Sequence, residues 1–360
     1  MPEPDTIEAR ESPGGPPPGV GAFAKRRWSK AHPPSDPAVS FAGKVVLVTG
    51  ANTGLGYQAA VKYAALGAER LILAVRTADK GEDARRRIVE QTGCAADRIA
   101  VLAVDLSDFA SVRAFCHALG ETTRTLDVAL LNAGLGRPAY TTSAAGWEMA
   151  VQVNVLSTAL MAVLLLPLLR ATAAARPAGA TPPHLTFVNS NGHDMVQREW
   201  LGEDQSLLRA ANKEDGWVDN RSYATVKLIG MAVMLAVARA SAGDTGPDSS
   251  PQRPQVIVNA VCPALCRTDL GRNYGWLAKR VGMPIFYGLF ARTAEEGSRS
   301  LVSATALGPE SHGRFWHHDI LYPLGDLAKD EALMEQTWTE VLAVIAKEDP
   351  RVGQILGRVD

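Results

Sequence analysis

The fold of this chain is most constrained by a regular alternation of short apolar runs and helical patterns that begins near residue 41. The first run, KVVLVTG at 44–50, is apolar throughout and ends in glycine, which is typical of a central strand in a parallel sheet. Similar runs recur at 70–76, 99–105, 126–134, 184–190 and 255–263. Strands that alternate with helices form right-handed βαβ units, so we expect an α/β fold with a single doubly wound parallel sheet and helices on both faces.

The 360 residues are predicted to form one domain behind a disordered tail. Residues 1–39 are rich in Pro and Gly and carry a short basic run, KRRW, at 25–28. Such a segment buries too little apolar surface to offset the entropy lost on ordering. We therefore predict disorder over 1–39 and one Rossmann-fold domain over 40–360, with the polar stretch 241–255 as a loop inside it.

Composition, net charge and cysteine content indicate the class of protein and its setting. The 46% of hydrophobic and 21% of charged residues indicate a globular protein with ample core. A formal net charge of −1 gives no support to nucleic-acid binding. The N-terminal residues lack the apolar core of a signal peptide, and the spacing of the four cysteines suggests no disulfide framework. We therefore expect a reducing, cytoplasmic setting.

One apolar stretch is long enough to raise the question of a membrane span. Between Glu148 and Arg170, 21 consecutive residues carry no charge. Gln152 and Asn154 lie at one end, Pro167 interrupts the stretch, and no aromatic belt flanks it. These features favour a buried helix, and we predict no membrane span.

Directly after the first predicted strand, TGANTGLG at 49–56 predicts a dinucleotide site. Gly50 allows a tight exit from the strand, while Gly54 and Gly56 let the backbone approach a ligand and the helix pack closely. The helix N-terminus then offers unpaired N–H groups to a pyrophosphate. A plain strand-to-helix turn is the alternative. The predicted cofactor contacts in this turn are Gly50, Asn52, Thr53, Gly54, Leu55 and Gly56.

The spacing T-G-x-x-x-G-x-G resembles that of the classical short-chain dehydrogenase/reductase family, and further segments follow in that family's order. They are DL at 105–106, LNAG at 131–134, QVNVLST at 152–158, YATVK at 223–227 and CPALCRT at 262–268. Leu131 replaces the first asparagine of the family's N-N-A-G, and Ala264 replaces the glycine of its P-G-x-x-x-T. The resemblance implies that Asp105 lies beside adenine, that Asn132 contacts the cofactor and that Thr268 grips the nicotinamide carboxamide.

The same resemblance implies a catalytic set. Tyr223 would relay the proton, and Lys227, four residues on and thus on the same helix face, would bind the nicotinamide ribose. Lys227 and the oxidised nicotinamide would lower the phenol pKa from its ordinary value near 10. Ser190 would hydrogen-bond the substrate carbonyl, with Asn189 in place of the family's first serine. Asn154 would hold a water that connects Lys227 to solvent.

The end of the second strand favours NADP(H) over NAD(H). An acidic residue there binds the ribose 2′-hydroxyl, whereas arginine accommodates a 2′-phosphate. Val75 stands at the expected acidic position and Arg76 follows it. Arg76 can fork onto a phosphate, and Lys80 can add a second charge. The alternative is that both are solvated charges at the start of a helix.

Several segments resemble the retinol-dehydrogenase-like and WW-domain-oxidoreductase-like branch, particularly its fungal members. They are ANTGLG at 51–56, AVRTADKG at 74–81, NGH at 191–193 and the stretch 291–310. This resemblance implies an apolar or bulky carbonyl or alcohol substrate and makes a role in specialised metabolism plausible. It also implies pairing through helices near 108–120 and 145–170, so a homodimer is possible.

Two segments stand out as sites of substrate choice. Residues 271–292 are apolar, aromatic and rich in glycine, and we predict that they form a substrate-side lid, with simple packing or a membrane-facing patch as alternatives. Residues 194–221 form an insert before Tyr223 that is longer than in most family members.

Several other residues have reactive side chains that could serve either a functional or a structural role. His193 either touches substrate or only closes the strand exit. The sequence HHD at 317–319 has no fourth ligand at a metal-binding spacing, so we predict no metal. Cys262 and Cys266 are predicted to be structural.

Three functions compete. The leading hypothesis is an NADP(H)-dependent oxidoreductase that interconverts a ketone or aldehyde with an alcohol. The alternative is a non-catalytic NADP-binding regulatory or scaffold protein of the same fold. The presence of all four implied catalytic residues, Asn154, Ser190, Tyr223 and Lys227, disfavours it. A sugar-nucleotide epimerase shares Tyr-x-x-x-Lys, but the glycine spacing disfavours it.

Overall fold

A single mixed sheet forms the centre of the domain. The computed structural model describes residues 6–8, 21–136, 138–177, 179–242, 254–267 and 283–357. The strands within these ranges are β1 Val45–Thr49, β2 Arg70–Val75, β3 Ile99–Ala103, β4 Val128–Leu131, β5 His184–Val188, β6 Ile257–Val261, β7 Phe315–His317 and β8 Ile320–Tyr322. They follow the order β3-β2-β1-β4-β5-β6-β7-β8, and all pairs are parallel except β7 with β8. The predicted doubly wound sheet is confirmed, with an antiparallel hairpin added at one edge.

Helices flank this sheet. The described ones are α1 Ala22–Ala31, α2 Gly54–Ala65, α3 Ala78–Thr92, α4 Phe109–Thr122, α5 Met149–Val151, α6 Thr158–Ala174, α7 Leu207–Ala211, α8 Asp219–Ser241, α9 Met283–Phe290, α10 Ala294–Ala304, α11 Glu331–Glu348 and α12 Arg351–Ile355. A π-helical turn, Gln152–Ser157, joins α5 to α6. Shorter 3₁₀ turns lie at Ala96–Arg98, Asn191–Met195, Arg198–Trp200, Pro309–Ser311 and Leu327–Lys329.

The apolar strands divide their side chains between two cores. Successive side chains of a strand point to opposite faces, so Leu47 and Val48 of β1 lie in different clusters. Leu47 packs in the cluster that holds α4, α6 and α8, whereas Val48 packs in the cluster that holds α2 and α10. All five residues of β1 are buried, which explains why its sequence shows no polar alternation.

Two helical stretches are apolar and long enough to cross a membrane by length and composition alone. They are Met149–Ala174 and Asp219–Ser241, and 83% and 72% of their most apolar windows are buried inside the domain. Their apolar surface is thus used in the core beside the sheet, as the sequence analysis expected for the first of them.

The N-terminal segment departs in part from the predicted disorder over 1–39. Residues 1–5 and 9–20 lie outside the described ranges, but α1 forms within the segment and packs on α9. Trp28 of α1 stacks on His32 with 4.6 Å between ring centroids, and Val39 is fully buried. The composition of residues 1–39 indicates no packing partner for them. In the folded domain, segments that are distant in sequence pack against part of this stretch.

The insert 194–221 packs as part of the domain. It contains the 3₁₀ turn Arg198–Trp200 and α7, and Leu201 and Leu207 are buried in the core beside α8. The guanidinium of Arg221 lies 5.2 Å from the ring centroid of Trp200, which ties the end of the insert to its middle.

The C-terminal helices cover part of the surface that the resemblance assigned to pairing. α12 packs on α6, and α11 packs on α8. Arg113 of α4 donates to the Glu348 carbonyl oxygen at 2.7 Å, and Arg170 of α6 donates to that of Ile355 at 2.9 Å. Homodimerisation stays a prediction, and the exposed part of α4 and α6 available for it is reduced.

We expect Trp338→Ala to destabilise the domain by about 3–5 kcal/mol, because Trp338 of α11 is 3% exposed and fills the core beside α8. Urea denaturation followed by circular dichroism measures this loss. Thr339→Ala, an exposed neighbour on the same helix, is the control and should change the free energy of unfolding by about 0.5 kcal/mol or less. A small effect of Trp338→Ala would show that α11 is not part of the cooperative core.

Candidate active site

The predicted site residues gather at the carboxyl edge of the sheet. The strand order reverses between β1 and β4, and ligands of open α/β sheets bind at this point. Thr49 ends β1, Leu131 ends β4 and Val188 ends β5. The residues that follow these strand ends therefore face one common cleft.

The glycine turn has a backbone that other residues would block. Gly50 and Gly54 have φ of +66° and +57°, in the left-handed region that favours glycine. A Cβ on Gly56 would lie 2.5 Å from the Gly50 carbonyl oxygen and would overlap the side-chain amide of Asn132. Thr53, the N-cap of α2, forms no side-chain cap bond. The backbone N–H groups that begin α2 thus remain open to an anionic ligand, and their binding of a pyrophosphate stays a prediction.

Asn132 braces this turn from β4. Its Nδ2 donates to the Thr49 carbonyl oxygen at 2.8 Å, and the Ala133 N–H donates to Thr49 Oγ1 at 2.9 Å. These bonds join the two strands where their order reverses. The structure therefore places Asn132 beneath the glycine turn, where it holds the shape of the cofactor cradle.

The predicted adenosine contacts lie at the ends of β2 and β3. Arg76 and Lys80 are exposed at the start of α3, directly after the buried Val75. Asp105 Oδ1 accepts hydrogen bonds from the Ser107 N–H at 2.9 Å and from its hydroxyl at 2.7 Å. The carboxylate of Asp105 is thus held at the strand exit, where the resemblance placed it.

Arg87 is a supporting residue that sequence analysis missed. Its Nη2 donates to the Asn52 carbonyl oxygen at 3.2 Å, and its guanidinium lies 4.4 Å from the ring centroid of Tyr57. The side chain links α3 to the glycine turn. Because Arg87 and Asn52 are 35 residues apart, no local pattern in the sequence signals this contact.

Ser190, Tyr223 and Lys227 are brought together as predicted. Ser190 follows β5, and a Cβ on Gly192 would lie 3.2 Å from both Ser190 Oγ and Tyr223 Cε1. Lys227 Nζ lies 5.9 Å from the Tyr223 ring centroid and donates to the Val188 carbonyl oxygen at 3.2 Å. The three polar groups thus converge at the edge of β5.

The pKa values of Tyr223 and Lys227 are set by burial in the described residues, and the lowering of the phenol pKa by oxidised nicotinamide stays a prediction. Burial raises the pKa of Tyr223 to about 12, and the hydrogen bond with Ser190 opposes this rise. Burial lowers the pKa of Lys227 to about 8, with the Cys262 thiolate opposing it. The Lys227 ammonium donates its hydrogen bond to the Val188 carbonyl oxygen. A phenol with this pKa is protonated at neutral pH, so Tyr223 can donate a proton.

Asn154 lies in the π-helical turn and is held by the loop after β4. Its Nδ2 donates to the Leu135 carbonyl oxygen at 2.8 Å, and its Oδ1 accepts from the Leu135 N–H at 2.9 Å. Asn154, Asn189 and Lys227 line a cavity of about 20 Å³, which is enough for one water. This geometry suits the predicted water link between Asn154 and Lys227.

Asn189 positions Ser190, a role that the sequence did not predict. Its Oδ1 accepts from the Ser190 N–H at 2.8 Å, and its Nδ2 donates to the Lys227 carbonyl oxygen at 3.1 Å. One buried amide therefore connects β5 with α8. The replacement of a serine by asparagine was the only sequence signal for this brace.

The turn after β6 lies beside the glycine turn. A Cβ on Gly297 of α10 would overlap Cys266 Sγ and would lie 2.7 Å from Leu55 Cδ2. Ala264, which replaces the family's glycine, has a φ of +64°, a conformation that costs a residue with a Cβ about 1 kcal/mol or more. Thr268 and residues 271–282 of the predicted lid lie outside the described ranges.

Cys262 is more than a packing residue. The backbone N–H groups of Asn191 and Ala264 each lie 3.4 Å from its sulfur. Burial would raise the pKa of this thiol, but His317 and the two N–H groups outweigh burial and lower it to about 7. Cys262 thus supplies partial negative charge beside Lys227.

The histidines have protein partners. His193 is 2% exposed; its Nδ1 donates to the Ser190 carbonyl oxygen at 2.7 Å, and its Nε2 accepts from the Gly325 N–H at 3.2 Å. His317 Nδ1 donates to the Cys262 carbonyl oxygen at 3.0 Å. Of the two roles predicted for His193, the structural one fits, because both ring nitrogens are engaged.

A second cavity, of about 650 Å³, opens between α7 and α11. Trp147, Leu208 and Asn212 are among its lining residues. It contains none of the predicted catalytic residues, so the site is assigned to the carboxyl edge of the sheet.

Comparison with known proteins agrees with this geometry. The family model described as short chain dehydrogenase matches residues 44–179. The short-chain dehydrogenase/reductase ffsI of Aspergillus flavipes is 42% identical over 332 residues, which are 91% of this chain and 94% of that protein. The short-chain dehydrogenase/reductase phmF of Phaeosphaeria nodorum is 39% identical over 354 residues, or 98% of both chains.

Solved structures share the fold at lower identity. The RhlG/NADP active-site complex of Pseudomonas aeruginosa is 22% identical, with a TM-score of 0.57 over 77% of this chain and 94% of that one. The L-sorbose reductase of Gluconobacter frateurii, complexed with NADPH and L-sorbose, is 20% identical, with a TM-score of 0.56 over 79% and 99%. At these identities the likeness establishes the fold alone.

We expect Gly56→Ala to weaken NADPH binding by about tenfold or more and to cost about 1–3 kcal/mol of stability, because its Cβ has no room beside Gly50 and Asn132. Fluorescence titration with NADPH and thermal unfolding measure the two effects. Gly120→Ala, in α4 with nothing within 4 Å, is the control and should bind NADPH as wild type does. Normal NADPH binding by Gly56→Ala would rule out the glycine turn as the cradle.

Proposed function

We propose a function for this chain from one premise: it belongs to the short-chain dehydrogenase/reductase family. It is an NADP(H)-dependent oxidoreductase that interconverts a ketone or aldehyde with an alcohol. The observation that carries this proposal is the convergence of Ser190, Tyr223 and Lys227 beside a glycine turn that has room for a pyrophosphate.

Each side chain has a defined task in the reduction. The bound nicotinamide supplies the hydride. Ser190 holds the carbonyl oxygen by a hydrogen bond, and Tyr223, whose phenol is protonated at neutral pH, donates its proton to that oxygen. Lys227 replaces this proton through the cavity that it shares with Asn154, which has room for one water.

NADP(H) is supported over NAD(H) by charge at the end of β2. Arg76 directly follows Val75, and Lys80 lies in the first turn of α3; both are exposed. Neither forms an ion pair with another of the residues that the structure describes, so both can bind a 2′-phosphate. The Gluconobacter frateurii reductase and the Pseudomonas aeruginosa RhlG were solved with NADPH and NADP respectively.

The substrate is proposed to be an apolar or bulky small molecule. This rests on the branch resemblance and on α9, an apolar helix in the predicted lid whose Leu289 is 56% exposed. The branch resemblance and the two fungal relatives, ffsI and phmF, support a role in fungal specialised metabolism. A cytoplasmic location stays a prediction from the N-terminal sequence and the cysteine pattern.

We expect Tyr223→Phe to lower kcat by about 10²–10⁴-fold while NADPH binding stays close to wild type, because only the proton donor is lost. Initial rates on a panel of carbonyls with NADPH, and of alcohols with NADP, measure this. Tyr322→Phe, which removes a hydroxyl from a partly exposed ring on β8, is the control. NADPH binding without any turnover sensitive to Tyr223→Phe would favour the non-catalytic scaffold instead.

We expect Arg76→Asp to raise the KM for NADPH by about 10–100-fold, because a charge-assisted hydrogen bond to the 2′-phosphate is replaced by repulsion. The KM for NADH should change little. Arg86→Asp, which makes the same charge change on the exposed face of α3, is the control. Equal losses with both cofactors would contradict the assignment of Arg76 to the 2′-phosphate.

A further inference from the structure

Arg292, between α9 and α10, is a buried cation that the catalytic proposal does not use. The residue is 1% exposed, and burial lowers the pKa of its guanidinium. Nε donates to the Ser29 carbonyl oxygen at 2.9 Å, and Nη2 donates to that of His32 at 2.8 Å. Nη2 also lies 2.9 Å from His318 Nδ1. Burial of a guanidinium raises the free energy of the folded state unless its N–H groups are hydrogen-bonded. These acceptors therefore offset the cost of burying Arg292.

Two of these acceptors belong to the end of α1. The last carbonyl groups of a helix have no partner within it and carry the negative end of its dipole. Arg292 thus caps α1 at Ser29 and His32. Trp28 adds ring contacts to His32 at 4.6 Å and to His318 at 5.3 Å. Burial, with His317 and Arg292, lowers the pKa of His318 to about 2, so its ring is a neutral acceptor.

The chain beyond α1 is fastened at three further points. The Ser35 N–H donates to Asp319 Oδ2 at 2.9 Å, and Arg299 Nη1 donates to the Pro34 carbonyl oxygen at 3.3 Å. Lys62 of α2 pairs with Asp36 at 2.5 Å. Residues 29–36, which we call the N-terminal strap, are therefore bound to the β7–β8 hairpin, to α10 and to α2.

The main chain of Arg292 holds the other side, the turn after β6. The Arg292 N–H donates to the Leu265 carbonyl oxygen at 2.9 Å, and the Arg292 carbonyl oxygen accepts from the Arg267 N–H at 2.8 Å. Nη1 lies 3.5 Å from the Pro263 carbonyl oxygen. The turn enclosed by these bonds contains Ala264, whose φ of +64° glycine would adopt without strain.

We propose, on the basis of the function proposed above, that the N-terminal strap acts through Arg292 to hold the Pro263–Arg267 turn in the shape that receives the nicotinamide. Arg292 is a positioning residue, since it touches the turn and the strap. The strap thereby offsets the backbone strain of Ala264, which a glycine at this position would not have. In this chain, cofactor affinity therefore depends on residues far outside the motifs that contact the cofactor.

The test is a double-mutant cycle in the full-length protein, with NADPH affinity measured by fluorescence titration. Arg292→Gln should raise the NADPH dissociation constant by about tenfold, the effect of losing charge-assisted hydrogen bonds. When Ala264→Gly is also present, the same change should raise it by only about threefold or less, because glycine relieves the strain that Arg292 opposes. Arg292→Lys, which keeps the charge but not the fork, should lie between wild type and Arg292→Gln.

A second variant perturbs the strap without touching the buried guanidinium. Trp28→Ala removes the ring contacts to His32 and His318, and it should weaken NADPH binding in the Ala264 background more than in the Ala264→Gly background. Arg27→Ala, on the exposed face of α1, is the matched control and should bind NADPH as wild type does. If Arg292→Gln fails to fold, the Trp28→Ala pair decides the question.

Equal losses of affinity in the Ala264 and Ala264→Gly backgrounds would show that Arg292 and Trp28 act only on general stability, and would overturn the proposal. Unchanged affinity in Arg292→Gln and in Trp28→Ala would overturn it as well. These outcomes are distinct from failure of the proposed function. Wild-type protein that binds no NADPH, or reduces no carbonyl, refutes the function, whereas active wild type with indifferent strap variants refutes only the strap.

Discussion

The close contact of Gly56 with Gly50 and Asn132 is the constraint on which the rest of the site depends. It lets α2 begin directly over the point where β1 and β4 diverge, with its N–H groups turned to the cleft. Asn132 can brace Thr49 only because no side chain stands at Gly56. Loss of this space would move the helix, and with it the entire cofactor cradle.

Two cations, the partly buried Lys227 and the buried Arg292, are held in position by backbone carbonyl oxygens. Lys227 donates to Val188 at the end of β5, and Arg292 donates to the end of α1. Neutral acceptors hold a cation in place without neutralising its charge. Lys227 thereby keeps the charge that its proposed role in proton transfer requires, while Arg292 ties distant backbone segments together.

The fold and the central site could be predicted from local patterns. Apolar runs separated by helical patterns marked the strands, because a parallel sheet is buried on both faces and its ligands bind at the carboxyl edge. The spacing of Tyr223 and Lys227 marked one helix face. Family order then placed Ser190 and Asn154, and the structure brings Ser190 to Tyr223 and brings Asn154 to a cavity shared with Lys227.

What the sequence by itself determined is the parallel sheet and the glycine turn, because these follow from periodicity and from spacing within one element. The residues proposed to exchange a proton were implied by the resemblance to the short-chain dehydrogenase/reductase family. Only the tertiary structure decided that burial raises the pKa of Tyr223, that Asn189 braces Ser190 and that α1 packs against Arg292. Each depends on groups that are distant in sequence. Burial and long-range hydrogen bonds leave no periodic trace, so they emerge only when the chain has folded.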